Sequence, residues 1–572
     1  MGWTRRDFLS RTAALGAVTA LPVPRGRSGP TVLVLGGGVG GLTAAHELAE
    51  RGFAVTVLER KDLGGKSRSI PVPGSGAGGR PELPGEHGFR FFPGFYRNLP
   101  DTMRRIPFPG NSGGVHDNLV DASVFRLSRT GGRFDLFVPL KLPLPSLDPL
   151  LLLPALIALL DTTLRLPLWE VTHFANRLAV YLTSGDERRL GQWERTGWWD
   201  FIGAGTRSAE YQRVLGVGLT RLLVAVRAEE ASTYTVGKIL EAFLNTALGR
   251  GSDGVVDRVL NAPSNEAWID PWVAHLRSLG VVFRSGTATR LAYGGGRVTG
   301  VTLADGSALS ADFYVCAVPV ERALPLWGPE LLAADPRLAA VANLRSEWMN
   351  GVMFYLRRTL PLVHGHVSYV DTPWALTSVS QAQFWRPGAF GRYGDGTVRD
   401  CLSTIISSWD TPGVLHGKTA RFCTPGELVE EIWAQLSASL EDTGERLLRR
   451  EDLHSAFIDP AVTGLGSPGG ARSDEPLLVN PVGSWQHRPD AATAVPNLAL
   501  AGDYVRNDVN LATMEGANEA GRAAANAVLA ASGSSAPPVR LFTLYKAPEL
   551  AGLQAEDTRR YRAGLPNLFD TA

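Results

Sequence analysis

The stretch that decides the fold is Thr31–Arg60, TVLVLGGGVGGLTAAHELAERGFAVTVLER. It reads as a buried apolar strand, a glycine turn, an amphipathic helix and a second strand that ends in acid. Gly36, Gly38 and Gly41 form a G-x-G-x-x-G fingerprint, and Glu59 follows at the spacing expected for a contact with a ribose hydroxyl. The pattern predicts a βαβ unit that binds a dinucleotide, with the phosphates at the helix N-terminus.

Two glycines and a cation follow this unit in LGGKSRS, Leu63–Ser69. With the glycine fingerprint, this segment resembles the FAD-dependent amine oxidase and phytoene desaturase superfamily, in which a GG-Arg or GG-Lys segment lines the pyrophosphate and flavin. Amine oxidases usually have Arg where this chain has Lys66. The GGK form is similar to plant and cyanobacterial carotenoid desaturases and to related squalene and carotenoid flavoenzymes.

Two later segments also resemble this superfamily. Ala262–Leu291 is similar to the helix and strand whose backbone meets the adenine near Ala288, where the family usually has Val. Asn497–Ala524 resembles the final FAD-binding segment, in which Asp503 would bind the pyrophosphate and ribityl region. The helix that begins at Met514 would point its amides at the flavin N1–C2=O edge, where a helix N-terminus stabilises the negative charge of reduction.

The resemblance implies FAD as the cofactor and a set of residues that bind it. They are Gly36, Gly38, Val39, Gly40, Gly41, Glu59, Arg60, Gly64, Gly65, Lys66, Ser67, Gly88, Phe89, Arg90, Ala288, Gly502, Asp503, Met514 and Glu515. No local signature marks a catalytic base, and flavin itself accepts the hydride. Arg90 and Tyr504 are the candidates for a catalytic side chain. The histidines and cysteines have no metal-ligand spacing, so we expect no metal.

The run EHGFRFFPGFYRN, Glu86–Asn98, is rich in aromatic residues and is similar to the desaturase pattern Glu-x-Gly followed by Phe-Phe-Gly-x-Tyr-x-Asn. We expect Gly88 to let the backbone pass close to the isoalloxazine and Arg90 to face its polar edge. The residues predicted to wall an apolar substrate channel are Phe91, Phe92, Phe95 and Tyr96. Pro93 is an addition to the family pattern that the sequence does not explain.

Composition and the N-terminus bear on partners and location. The chain has 572 residues, of which 20% are charged, and a net charge of +1. No Lys/Arg cluster favours nucleic acid as a partner.

TRRDFL, Thr4–Leu9, precedes a short apolar run and is typical of a Tat-type export signal, with a disordered basic leader as the alternative. The Tat route exports proteins that have already folded around a cofactor. The signal therefore predicts a tightly bound cofactor and a location outside the cytoplasm.

Residues 141–183 are the most apolar region of the chain. Their longest uncharged part, Pro149–Leu160, is too short to cross a bilayer as a helix. An interfacial patch that associates with a membrane surface, the wall of an apolar tunnel and a buried domain helix all explain this composition.

We expect an α/β flavoprotein of two domains, with a doubly wound, Rossmann-like FAD domain assembled from non-contiguous segments and a substrate domain of mixed sheet and helices. The predicted leader covers residues 1–28. The predicted FAD-binding segments are 29–105, 251–330 and 481–533, and the predicted substrate-domain segments are 106–250 and 331–480. The tail, residues 534–572, is expected to be peripheral.

The leading functional hypothesis is an FAD-dependent oxidoreductase that desaturates or oxidises a small hydrophobic substrate of isoprenoid or carotenoid type. Hydride would pass to flavin, with oxygen or a quinone as the electron acceptor. The alternatives are an amine or amino-acid oxidase that releases peroxide, a non-redox FAD-dependent isomerase or dehydroxylase, and a flavoprotein kept for binding alone.

Overall fold

The structure, a computed structural model, describes residues 21–22, 29–88, 91–140 and 152–570. Its central sheet has five strands, and every neighbouring pair is parallel. The strand order is Val282–Ser285, Ala54–Glu59, Thr31–Leu35, Phe313–Cys316 and Leu498–Leu500. These strands come from three separate parts of the chain, which confirms the predicted doubly wound sheet of non-contiguous segments.

Different layers cover the two faces of this sheet. Val32 and Val34 of the central strand belong to the hydrophobic cluster that contains the helices Val39–Glu50 and Met514–Ser532. Leu33, between them, belongs to a second cluster on the opposite face. That face packs on a four-stranded sheet with the order Leu21–Pro22, Ala308–Ser310, Arg297–Leu303 and Ala288–Gly294. Because side chains alternate along a strand, a continuous apolar run is buried on both sides.

A seven-stranded mixed sheet forms the centre of the second domain. Its order is Leu453–Ile458, Asn350–Leu356, Asp400–Ile406, Leu376–Ser380, His366–Tyr369, Val124–Ser128 and Leu136–Pro139. Neighbouring strands are antiparallel except for the parallel pair His366–Tyr369 and Val124–Ser128. Both predicted substrate-domain segments contribute strands, while the exact domain boundaries stay a prediction.

The remaining described elements connect and cover these sheets. Paired strands are Arg345–Glu347 with Leu477–Val479, Val462–Thr463 with Arg472–Ser473, Ser69–Pro71 with Pro84–Glu86, and Leu119–Asp121 with Arg258–Leu260. Further α-helices are Asn98–Arg104, Leu152–Leu164, Leu168–Thr183, Asp186–Gly191, Trp198–Phe201, Ala209–Tyr211, Arg221–Val224, Thr233–Ala247, Asp270–Ser278, Val320–Leu326, Pro329–Ala334, Pro425–Leu440 and Ala551–Arg562.

The described part of the apolar region forms two of these helices, Leu152–Leu164 and Leu168–Thr183. No helix in the described ranges is both long enough and apolar enough to span a membrane. Most of the predicted leader, residues 1–20 and 23–28, lies outside the described residues. Leu21–Pro22 pairs in parallel with Leu309–Ser310.

The tail is packed, which corrects the expectation that it is peripheral. Leu550 is fully buried in the cluster formed by the helices of residues 152–250. On the helix Ala551–Arg562, Asp557 is buried and pairs with the buried Arg188, whose Nε lies 2.9 Å from Oδ1. One buried Leu and one paired Asp produce no hydrophobic periodicity in the sequence. The prediction for the tail therefore depended only on the Gly/Ser/Pro linker that precedes it.

Candidate active site

A cavity of about 690 Å³ opens at the carboxyl ends of the parallel strands. Gly36, Glu59, Ala317 and Gly502 stand at or just after the ends of four strands, and all line it. Open α/β sheets bind their ligands at this edge. The predicted cofactor-binding residues that line the cavity are Gly36, Gly38, Val39, Gly40, Glu59, Arg60, Gly64, Gly65, Lys66, Ser67, Gly88, Ala288, Gly502, Asp503 and Met514.

The first glycine turn needs glycine for conformation and for space. Gly36 has a φ of +106°, in the left-handed region. A Cβ on Gly41 would lie 1.9 Å from the Gly36 carbonyl oxygen, so Gly41 allows the helix to pack on the turn and does not itself line the cavity. The helix Val39–Glu50 begins here without a side-chain cap. Its N-terminal amides and dipole therefore favour an anion such as a pyrophosphate.

The second glycine segment lies directly against the first. The Gly64 amide donates to the Gly37 carbonyl oxygen at 2.8 Å. A Cβ on Gly65, whose φ is +56°, would lie 2.9 Å from the Gly38 Cα. The two segments thus form one backbone cradle that larger residues would push apart.

The Glu59 carboxylate is fixed at the end of its strand by two backbone amides. Oε2 accepts from the Gly37 amide at 2.7 Å, and Oε1 accepts from the Lys61 amide at 2.8 Å. An acid in this position binds the ribose hydroxyls of a dinucleotide. The carboxylate, the glycine cradle and the uncapped helix N-terminus together fit a dinucleotide cofactor.

Comparison with protein families identifies which cofactor this is. The model of the flavin containing amine oxidoreductase family matches residues 39–529. The chain belongs to this family. A protein of Streptomyces griseus described as carotenoid phi-ring synthase is 26% identical to it over 561 residues, which cover 92% of this chain and 93% of that protein.

Solved oxidoreductases share the fold of this family member. A putrescine oxidase bound to putrescine has a TM-score of 0.58 and 12% identity, over 89% of this chain and 100% of the other. An oxidoreductase from Methanosarcina mazei has a TM-score of 0.56 and 14% identity, over 85% of this chain and 98% of the other. At these identities the likeness shows the fold alone. Family and fold together make the protein an FAD-dependent oxidoreductase.

A network of charged residues forms one side of the cavity. The Glu475 carboxylate accepts from Arg68 Nη1 and Nη2 at 3.0 and 3.1 Å and from Lys61 Nζ at 2.8 Å. Burial raises the pKa of Glu475, but His87, Arg68 and Lys61 outweigh burial and hold the pKa below its usual value. Lys66 Nζ lies 3.0 Å from Glu321 Oε1, so this lysine is also paired.

Aromatic and aliphatic side chains form the other side. Of the predicted channel residues, Phe91, Phe95 and Tyr96 line the cavity. Phe243, on the helix Thr233–Ala247, joins them: its ring centroid is 5.9 Å from that of Phe91 and 5.1 Å from that of Phe95. Leu223, Ile239 and Leu511 extend this apolar wall.

Backbone pairing explains Pro93. The amides of Phe92 and Gly94 donate to the carbonyl oxygens of Arg258 and Val256, at 3.1 and 2.9 Å. Pro93 lies between these two donors, at a position where an extended segment needs no N–H. The proline therefore fits the pairing and lines the cavity.

Several predicted site residues lie elsewhere. Phe92 is 3% exposed and packs edge-to-face on Trp268 in the core, so it does not line the channel as predicted. Tyr504 is fully buried in the cluster beneath the central sheet, and burial raises the pKa of its phenol, so it is a core residue and does not reach the cavity. Phe89 and Arg90 lie outside the described residues.

Glu515 has a different role from the one expected. Its carboxylate is buried and accepts hydrogen bonds from the backbone amides of Arg97, Asn98 and Leu99. These amides begin the helix Asn98–Arg104, where an anion is favoured by the helix dipole. The side chain therefore anchors the end of the aromatic run to the helix Met514–Ser532 and does not line the cavity.

The cavity-lining residues that the sequence reasoning did not assign to the site include Phe243, Glu475 and His87. Phe243 lies on an ordinary amphipathic helix, and Glu475 lies in an irregular segment, so neither carries a motif. The charge of Glu475 next to Asp474 in a Pro/Gly-rich stretch was the only available signal. His87 lies inside the aromatic segment but belongs to no recognised pattern.

One group of possible metal ligands occurs in the described residues, His46, Glu50 and His275. The Trp272 indole N–H donates to His46 Nδ1 at 3.2 Å, so Nδ1 carries no hydrogen and Nε2 must carry it. That Nε2 faces Glu50 Oε1 at 3.1 Å. His46 Nε2 thus carries a hydrogen that it donates to Glu50 and has no lone pair for a metal, so Trp272, His46 and Glu50 form a hydrogen-bonded chain.

We expect Gly65→Ala to lose bound FAD, because its Cβ would collide with the Gly38 backbone and separate the two glycine segments. Gly74→Ala is the matched control: Gly74 also has a positive φ, +73°, but nothing lies within 4 Å of its added Cβ. The ratio of flavin to protein absorbance in the purified variants measures occupancy. Equal occupancy in the two variants would show that the close approach is not required.

Glu519, on the helix Met514–Ser532, makes the stability of the folded protein depend on pH. Burial, together with the charges of Asp508 and Glu515, raises the pKa of the Glu519 carboxyl to about 8. A carboxyl with a higher pKa in the folded than in the unfolded protein makes the folded state bind its proton more tightly. Its contribution to stability is therefore lost as the pH rises from about 4.3, the unfolded value, to about 8.

We expect Glu519→Gln to remove this loss, since an amide has no charge to bury. The variant should resist denaturant better than the natural protein near pH 8 and equally well near the unfolded pKa, about 4.3. Denaturant midpoints across this range measure the effect, with the exposed Glu451→Gln as control. If the denaturant midpoints of Glu519→Gln and the natural protein differ by the same amount at every pH, the raised pKa of Glu519 is contradicted.

Proposed function

We propose that this flavoenzyme desaturates or otherwise oxidises an apolar substrate of isoprenoid or carotenoid type. The observation that carries the proposal is the wall of Phe91, Phe95 and Phe243, which lies in the same cavity as the glycine cradle. The relative named for carotenoid phi-ring synthesis, aligned over nearly the whole chain, supports the same substrate class. FAD, when bound, would supply the acceptor for one hydride, which carries the two electrons of the oxidation.

The charges around the cavity favour an apolar substrate over an amine. An amine oxidase needs carboxylates or an aromatic cage for the ammonium group of its substrate. Glu475 already binds Arg68 and Lys61, and Glu321 already binds Lys66. The aromatic side chains stack edge-to-face on one another, which buries apolar surface and excludes water from the substrate.

Anaerobic mixing with candidate substrates tests the proposal. We expect a carotene solubilised in detergent to bleach the flavin absorbance of the purified protein, and putrescine and other amines to leave it unchanged. Bleaching by an amine, with peroxide on admission of oxygen, would make the protein an amine oxidase. Conversion of a polyene without bleaching or any electron acceptor would make it a non-redox enzyme.

Phe95→Ala should slow flavin bleaching by the apolar substrate about tenfold or more while FAD stays bound. The reason is that the contact of a buried phenyl ring contributes about 1.5–3 kcal/mol, and 1.4 kcal/mol is about a factor of ten. Phe422→Ala, at an exposed ring, is the control. A full rate in Phe95→Ala would place the substrate away from the aromatic wall.

An exposed apolar patch supports delivery of such a substrate from a lipid surface. Phe134, Phe137, Leu168 and Trp169 are 79%, 57%, 60% and 56% exposed. Arg165 lies over the Phe134 ring, 5.7 Å from its centroid, and connects this ring to the turn before Leu168. Exposed aromatic residues beside arginines suit the interface of an anionic membrane.

We expect the double variant Phe134→Ala, Trp169→Ala to sediment less with vesicles of anionic phospholipid than the natural protein does, with unchanged FAD content. Phe422→Ala serves as the control for loss of an exposed ring elsewhere. Equal sedimentation of all three proteins would exclude this patch as the docking site. Export through the leader of residues 1–28 stays a prediction that fractionation of the producing cell tests.

A further inference from the structure

His87 stands next to Gly88 and lines the cavity, and its buried Nδ1 lies close to two acids without a hydrogen bond of regular geometry to either. Its Nδ1 lies 2.9 Å from Asp459 Oδ2 and 3.4 Å from Glu475 Oε2. The side chain of His87 is 6% exposed, and that of Asp459 is fully buried. One ring nitrogen is therefore turned into the protein, toward two carboxylates.

Both carboxylates are fixed by other groups. The Asp459 carboxylate accepts from Asn350 Nδ2 at 2.7 Å and from the Ala461 amide at 2.9 Å. Burial raises the pKa of Asp459, but His87, Asn350 and Ala461 outweigh burial and keep it below its usual value. Glu475 is held by Arg68 and Lys61. The Asn350 and Ala461 hydrogen bonds to Asp459 and the Arg68 and Lys61 cations beside Glu475 favour the ionised carboxylates also when the His87 ring is neutral, and they fix both acids in place.

Two ionised carboxylates determine which ring nitrogen carries hydrogen. A lone pair on Nδ1 would repel both acids, so Nδ1 carries hydrogen in the neutral as well as in the charged ring. In the neutral ring Nε2 then holds the lone pair. Because Nδ1 is turned toward the acids, Nε2 is the nitrogen left to the cavity that His87 lines.

We propose that His87 Nε2 is the proton acceptor of the oxidation, with Asp459 and Glu475 as positioning residues. This inference rests on the proposed function. Desaturation removes two hydrogens from neighbouring carbons. One leaves the substrate as a hydride, with the electron pair of its C–H bond, for which bound FAD would be the acceptor. The other leaves as a proton to Nε2, and the electron pair of that C–H bond becomes the new carbon–carbon π bond.

Arg68, Lys61, Lys66, Glu475 and Tyr96, which also line the cavity, are unsuited to this step. Arg68, Lys61 and Lys66 are cations in ion pairs and have no lone pair to accept a proton. Glu475 already accepts from Arg68 and Lys61, which lowers its basicity. Burial raises the pKa of the Tyr96 phenol, so it stays protonated and accepts nothing.

The tautomer is measurable without any substrate. In FAD-loaded protein labelled with ¹⁵N-histidine, we expect the signals of the neutral His87 ring to show a protonated Nδ1 and an unprotonated Nε2. Loss of these signals in His87→Gln assigns them. Asp459→Asn should raise the share of the other tautomer, because the amide no longer requires hydrogen on Nδ1. A natural protein with hydrogen on Nε2 overturns the inference.

The rate of flavin bleaching by the apolar substrate tests the chemical role. We expect His87→Gln to lower that rate by about 10²–10⁴, with FAD content unchanged. His364→Gln, at an exposed histidine, should keep the natural rate. Substrate bleaching at full rate in His87→Gln overturns the proton-acceptor role alone. Absence of bleaching in the natural protein, with the tautomer as expected, overturns the proposed function instead.

Discussion

The close approach of glycine backbones is the constraint on which the rest of the structure depends. A side chain on Gly41 would strike the first glycine turn, and one on Gly65 would strike Gly38. A Cβ on Gly521 would lie 2.4 Å from the Gly40 carbonyl oxygen, where the first and last helices of the cofactor domain cross. Segments almost five hundred residues apart therefore meet at main-chain distance, and the cradle exists only when the whole domain has folded.

Charge pairing fastens the second domain to this cradle. The segment that carries Asp474 and Glu475 lies beside the strand Leu477–Val479 and reaches across to Lys61 and Arg68. Breaking one member of a buried pair leaves an uncompensated charge, which costs several kcal/mol, about 3–5. These ion pairs thus favour one position of the segment that carries Asp474 and Glu475 relative to Lys61 and Arg68. They also occupy the Glu475 carboxylate on the cavity wall.

The sequence allowed the cofactor half of the site to be predicted because that half is local. Gly36, Gly38, Gly41 and Glu59 lie within one βαβ unit, and each has a backbone or anion-binding reason to be its residue type. The aromatic run was harder. Phe92 and Phe95 look alike in sequence, and only the pairing of this run with residues 255–258 turns the first ring to the core and the second to the cavity.

Residues brought in from other segments were beyond such reasoning. Phe243 and Glu475 reach the site through tertiary packing alone. Glu515 was assigned to the flavin through the backbone amides at the start of its helix, whereas the partners of its side chain, the amides of Arg97, Asn98 and Leu99, lie more than four hundred residues away and leave no signal in the sequence. Glu515 also fixes one end of the stretch of residues 91–98, from which Phe91, Phe95 and Tyr96 line the cavity. Because the amides of Phe92 and Gly94 bind the carbonyl oxygens of Arg258 and Val256, this stretch is held at two places. If an apolar substrate lies against this wall, as proposed, its position depends on the helix Met514–Ser532 that carries Glu515.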